Sequence, residues 1–99
     1  MATTLPKLSA DEVQQRLTQL SGWQLDGKMI TKEYLRAGFT DAARFISQIA
    51  PLADGLNHHP DVLLHKYKRV KVMLWTHSHD GLTQNDFELA AKIDKLPPG

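Results

Sequence analysis

The chain has 99 residues, the length of a single domain over residues 1–99, and such a chain buries only about 60–65% of the surface that its unfolded form exposes. Twelve Lys and Arg residues balance eleven Asp and Glu residues, so the formal charge of +1 gives no reason to expect nucleic acid or an anionic membrane as a partner. The absence of cysteine excludes disulfides, thiolate nucleophiles and zinc or iron–sulfur sites built on cysteine.

The first predicted element is a helix over residues 10–20. Ser9 and Glu12 have the spacing of a capping box, in which each side chain accepts a hydrogen bond from the other residue's backbone N–H. Before it, residues 1–7 lack the apolar stretch of a signal peptide. No run in the chain approaches the ~18 apolar residues of a membrane span. We therefore predict a cytoplasmic protein.

Two strands are predicted next, over residues 23–26 and 28–36. Asp26-Gly27 between them is typical of a type I′ hairpin turn, which needs positive φ at both central residues. The two strands are therefore expected to pair antiparallel.

A second helix is predicted to begin at a cap formed by Thr40 and Asp41 and to end near Gly55, because apolar residues recur between them at helical spacing. Pro51 lies inside this segment. Proline cannot donate a hydrogen bond to the carbonyl of Ser47, so a kink is expected there.

Two further strands are predicted over residues 62–67 and 69–76. The second alternates strictly, and one of its faces is predicted to contact the core. That face consists of Val70, Val72, Leu74 and Thr76, and the opposite face consists of Arg69, Lys71, Met73, Trp75 and His77.

A last helix is predicted to begin after Thr83, with Asp86 at the third helical position of a cap, and to stop at Pro97-Pro98. The elements then follow the order α-β-β-α-β-β-α. This order predicts an α+β fold, with a four-stranded antiparallel sheet and three helices on one face.

The histidines are the candidates for chemistry, because all five lie between positions 58 and 79: His58, His59, His65, His77 and His79. Histidine gives or takes a proton near neutral pH, so this cluster could catalyse acid–base chemistry. The favoured reading of the clustering alone is that these are surface histidines at loop ends.

Two other readings of these segments remain open. His77 and His79 are two residues apart, so with His58 or His59 they could hold a metal ion. Trp75 is expected on the solvent side of its strand, where it would be either an interface residue or a stacking wall for a flat ligand. The basic stretch at 66–71 is interpreted as a solvated turn.

Three short motifs indicate a family. They are Asn-His-His-Pro-Asp at 57–61, Thr-His-Ser at 76–78 and Gly-Leu-Thr at 81–83. With the order of elements, they resemble the pterin-4a-carbinolamine dehydratase family over nearly the whole chain. The resemblance implies a hydro-lyase that needs no metal and no organic cofactor. Its substrate would be a 4a-hydroxytetrahydropterin such as 4a-hydroxytetrahydrobiopterin. Its product would be the quinonoid dihydropterin, which is recycled for aromatic amino-acid hydroxylases.

The resemblance also implies roles for individual residues. The catalytic histidines would be His58, His59 and His77, with the first and third transferring protons and the second mainly binding substrate. The residues that line the pterin pocket would be Asn57, Trp75, Thr76 and Ser78. Asn57 stands where some members have Asp.

Asp54 precedes His58 by four residues, where the family often has an acid. This carboxylate could orient a histidine in the substrate site, or it could be a solvated residue at a helix end. Family members are homodimers or homotetramers, so we expect a homo-oligomer. The alternative to an enzyme is a binding or scaffold protein with the same fold.

Overall fold

The computed structural model describes residues 5–97, and the predicted stop at Pro98 therefore lies outside the described residues, as do residues 1–4. The predicted order of elements is confirmed. The helices are α1 (Ala10–Leu17), α2 (Phe39–Leu56) and α3 (Gln84–Asp94), and the strands are β1 (Gln24–Asp26), β2 (Met29–Leu35), β3 (Asp61–His65) and β4 (Arg69–Leu74). A short 3₁₀ turn, His77–His79, follows β4.

The four strands form one antiparallel sheet in the order β1-β2-β4-β3. The predicted facing of β4 is confirmed, because Val70, Val72 and Leu74 are fully buried. Side chains of all three helices join the same core cluster, which places the helices on this face of the sheet. The α+β architecture predicted from the order of elements is therefore present. No helix within residues 5–97 has the length and apolar character needed to cross a bilayer.

The hairpin turn between β1 and β2 lies one residue later than predicted. Asp26 pairs with Met29, so the two loop residues are Gly27 and Lys28. Gly27 has φ of 60°, whereas neither Asp26 nor Lys28 is in the positive-φ region. Positive φ at the first loop residue alone is typical of a type II′ turn, so the predicted type I′ turn is wrong.

The ends of the first two helices also differ from the prediction. Helix α1 ends at Leu17, three residues early, because Gln19 and Leu20 donate to carbonyls only three residues back. The predicted Thr40-Asp41 cap of α2 is wrong, since the N-cap is Gly38, which has no side chain to accept a hydrogen bond.

Helix α2 continues through Pro51 to Leu56. Strand β3 ends at His65 rather than residue 67, because Lys66 and Tyr67 adopt left-handed φ values of 48° and 54° and turn the chain into β4.

Candidate active site

The loop after α2 and the end of β4 lie at the same end of the sheet. Asp61, the first residue of β3, pairs with Met73 near the end of β4. The chain that enters β3 therefore passes beside the chain that leaves β4. This register brings the segment of His58 and His59 next to the segment of His77.

Asn57 directs the chain out of α2. It is the C-cap residue of the helix and has a left-handed φ of 48°, a conformation that asparagine tolerates better than most residues. The backbone N–H of His58 then donates to the carbonyl of Ala53 at 3.1 Å. This closed helix end turns His58 toward the start of α3.

The buried carboxylate of Asp86 binds His58. The Nε2 atom of His58 lies 2.6 Å from Oδ1 of Asp86, and the two side chains are 10% and 0% exposed. The other carboxylate oxygen, Oδ2, accepts hydrogen bonds from the Thr76 hydroxyl at 2.7 Å and from the Thr83 backbone N–H at 2.9 Å. The Thr76 and Thr83 hydroxyls lie 2.9 Å apart. Three donors thus converge on one carboxylate.

The proton positions follow from this arrangement. The Thr76 proton goes to Asp86, so the Thr83 hydroxyl donates to Thr76. A carboxylate accepts at both oxygens and has no proton to donate, so the Nε2 atom of His58 is assigned as the donor in this contact. The Nδ1 atom of His58 is then the nitrogen with a free lone pair. Asp86 lies in the first turn of α3, where the helix dipole stabilises negative charge.

His59 has a different partner. Its Nε2 atom lies 2.8 Å from Oδ1 of Asp54, and the two side chains are 59% and 75% exposed. Asp54 therefore pairs with the second histidine of the motif and not with His58. The pair is in solvent, where a carboxylate holds a histidine only weakly.

His77 is exposed and stacks on Trp75. The two ring centroids are 4.0 Å apart, with planes inclined by 39°. No hydrogen bond to the His77 ring is present within residues 5–97. Next in the chain, Ser78 is exposed, and its hydroxyl contacts Nδ1 of His79 at 2.9 Å.

The remaining histidine, His65, lies outside this arrangement. Its Nε2 atom contacts Oε1 of Glu33 at 2.5 Å, and Arg69 contacts the other oxygen of the same carboxylate. The hydrogen bond from His65, followed by that from Arg69, lowers the pKa of Glu33. This group is an exposed cross-strand cluster on the sheet.

Sequence reasoning missed the role of Asp86, which it assigned only to the cap of α3. The cap is present, since Thr83 and Asp86 form the predicted capping box. The same carboxylate also contacts His58, which is 28 positions away in the chain. Thr76, expected to line a pocket, is 3% exposed and its hydroxyl binds Asp86, so it faces the interior.

The described residues contain no metal-binding cluster of three or more His, Cys, Asp or Glu side chains. A cleft of about 780 Å³ lies between α1 and α3, and its lining includes Gln19, Phe87 and Lys92 but none of the histidines.

Comparison with known proteins gives consistent results. The sequence pattern described as Pterin 4 alpha carbinolamine dehydratase matches residues 6–96. A Sulfurisphaera tokodaii protein provisionally named pterin-4-alpha-carbinolamine dehydratase is 42% identical over 92 residues, which cover 93% of this chain and 98% of that one.

Two solved structures are also similar. One is a Brucella melitensis protein described as a transcriptional coactivator/pterin dehydratase, with a TM-score of 0.84 and 37% identity over 90% of this chain and 96% of that one. The other is a pterin dehydratase-like protein described as a RuBisCO assembly factor in the alpha-carboxysome. It has a TM-score of 0.58 and 19% identity, covers 73% of this chain and 82% of that one, and shows a likeness of fold alone.

Proposed function

The chain belongs to the pterin-4a-carbinolamine dehydratase family, and we propose that it dehydrates a 4a-hydroxytetrahydropterin to the quinonoid dihydropterin by histidine acid–base catalysis. In this reaction the hydroxyl leaves as water after it receives a proton, and the adjacent ring nitrogen loses a proton as the new C=N bond forms. The product would be recycled for aromatic amino-acid hydroxylases.

His58 is suited to remove the proton from the ring nitrogen. Its Nε2–H is held by Asp86, so Nδ1 is available as the acceptor. When Nδ1 takes the proton, the ring becomes positively charged. The buried carboxylate opposite Nε2 stabilises that charge in a site where most water is excluded.

His77 is suited to deliver the other proton to the leaving hydroxyl. Its ring is exposed and has no carboxylate partner among residues 5–97, so it can regain a proton from solvent after each turnover. Because it lies on the segment next to Thr76, which binds Asp86, it approaches the same region as His58 from a different strand.

The other site residues are assigned to substrate binding. His59 and Asp54 form an exposed pair beside His58, and Ser78 follows His77 with an exposed side chain. Asn57 shapes the turn that carries both loop histidines. These groups would contact the polar edge of the pterin.

The observation that carries this proposal is the contact between His58 and the buried Asp86. A histidine that is merely a surface residue at a loop end has no need of a buried carboxylate partner. Burying a carboxylate without a partner would destabilise the folded protein. The pairing instead gives one ring nitrogen a fixed proton and leaves the other available for chemistry.

The proposal is tested by following quinonoid dihydropterin formation from a 4a-hydroxytetrahydropterin, with the uncatalysed rate subtracted. A positioned acid or base contributes about 10²–10⁴-fold, so His58→Gln and His77→Gln should lower kcat by that order. His59→Gln should mainly raise KM. His65→Gln is the matched control, because His65 pairs with Glu33 outside the site.

Each variant must first show the wild-type circular dichroism spectrum and melting behaviour. Turnover should also survive chelator treatment. Wild-type protein that binds the pterin without accelerating its dehydration would identify a binding protein instead. Loss of turnover on chelation and its return with zinc would identify a metal enzyme.

A further inference from the structure

Trp75 and His77 are in contact just beyond the end of β4. Leu74 and Thr76 are buried, whereas Trp75 is partly buried and His77 is exposed. The centroids of the Trp75 and His77 rings are 4.0 Å apart.

The two rings differ in how firmly they are held. Trp75 is partly buried and packs against the hydrophobic core. His77 is exposed and begins the 3₁₀ turn, and no hydrogen bond orients its ring within residues 5–97. An exposed side chain without such a partner samples several rotamers. The indole is therefore the contact that restrains the imidazole.

The contact with His77 also limits the ability of Trp75 to stack on a substrate ring. A flat pterin would need an open indole face on which to stack, and His77 lies over one face of the indole. Trp75 is also partly buried, which further limits the indole surface that is open to a ligand. The tryptophan is thus placed to support His77, not to form a wall against the substrate.

We propose that Trp75 is a positioning residue that holds the His77 ring in the orientation needed for proton transfer. The inference rests on the proposed dehydratase function for its kinetic consequence. The ring contact itself does not depend on that function.

The kinetic test compares Trp75→Leu, Trp75→Phe and Trp75→Tyr. An aromatic contact changes an equilibrium by roughly two- to tenfold, so Trp75→Leu should lower kcat by about that factor with KM within about twofold of wild type. Phe and Tyr keep a ring under His77 and should restore most of the rate. Tyr67→Leu, which removes an exposed aromatic ring at the β3–β4 turn, is the matched control.

A stacking wall for the pterin gives the opposite result. Trp75→Leu would then raise KM and leave kcat unchanged, and this outcome would overturn the proposal. A merely structural role of Trp75 would lower the melting temperature without lowering kcat in the folded fraction, which would overturn it as well.

Proton NMR tests the contact independently of turnover. The imidazole protons of His77, assigned by comparison with the His77→Gln spectrum, should be shifted upfield by the indole ring current in wild-type protein. The shift should shrink in Trp75→Phe and, if that variant folds, vanish in Trp75→Leu. An unshifted His77 signal in wild-type protein would overturn the proposal. Absence of wild-type turnover would reject the dehydratase function. The NMR shift would still show whether the Trp75 and His77 rings are in contact.

Discussion

Burial separates two histidines that are adjacent in the chain. The His58 side chain is 10% exposed and its carboxylate partner is fully buried, whereas His59 and its partner are both mostly in solvent. Charge interactions strengthen as water is excluded, and exposed ion pairs contribute only about 0–1 kcal/mol. This difference in burial supports the proposed division of labour, in which His58 transfers a proton and His59 contacts the substrate.

The Asp86→Asn variant tests this assignment at a single carboxylate. Oδ2 of Asp86 accepts from both Thr76 and the Thr83 backbone, so an amide should turn its oxygen toward those donors and its NH₂ toward His58. His58 would then have to accept at Nε2 and carry its proton on Nδ1, where a base is needed. We expect kcat to fall by about 10²–10⁴-fold with little change in KM.

The matched control for this substitution is Glu33→Gln, which alters a histidine–carboxylate pair on the sheet surface. It should leave kcat within about twofold of wild type, since surface ion pairs contribute little. A folded Asp86→Asn protein with near-normal kcat would show that His58 does not depend on this carboxylate.

Among the elements, the start of α3 serves both fold and site. The capping box of Thr83 and Asp86 begins the helix, and the same carboxylate contacts His58 and Thr76. The helix start is thereby tied to the loop after α2 and to the end of β4. The site should consequently lose its geometry if the first turn of α3 unfolds.

The start of α2 is stabilised by a different device. Its N-cap is a glycine, and Asp41 in the first turn accepts from the Ala37 backbone N–H and from Arg36. The hydrogen bond from Ala37, followed by that from Arg36, lowers the pKa of Asp41. Because the folded-state pKa lies below the unfolded value, the stabilisation is present above the unfolded pKa and is lost as pH falls through the folded one.

Asp41→Asn should therefore be less stable than wild type at neutral pH, and the difference should shrink below about pH 4, near the ordinary pKa of aspartate. Urea unfolding of both proteins at neutral and at acid pH measures the two differences in free energy. A difference of the same size at both pH values would mean that the Asp41 charge does not contribute.

In the whole molecule, the helices pack on one face of the sheet and leave the other face open. Strands β1 and β3 are both edges, and Leu35 and Leu63 on the outward face are 61% and 49% exposed. Unpaired strand edges and exposed apolar side chains favour association, and a chain this short has a limited core of its own.

We accordingly predict a homodimer or homotetramer in solution. Sedimentation at tens of micromolar should give a mass of two or four chains, with dissociation on dilution if the contact is weak. A monomer across that concentration range would contradict the prediction.

Local signals account for the parts of the fold that were predicted correctly. The capping boxes at Ser9 and Thr83 begin α1 and α3, as expected from side chains three residues apart. The strict alternation along β4 identified its buried face because side chains in a strand alternate sides. Interactions between neighbours in sequence determined these features before any tertiary contact formed.

Features that depend on residues distant in sequence could not be predicted from such local signals. Pairing of β1 with β2 moved the hairpin turn to Gly27-Lys28, and the left-handed Lys66 and Tyr67 had no glycine or asparagine to indicate them. The motifs identified the family, and the comparison with known proteins confirms it.

The sequence by itself thus determined the order of elements and the core face of β4, because both depend on local spacing. Tertiary structure alone decided that Asp86 holds His58, 28 positions away in the chain. The physical reason is that this carboxylate meets its partner only when the start of α3 packs beside the loop after α2, and side-chain spacing within one element does not contain that information.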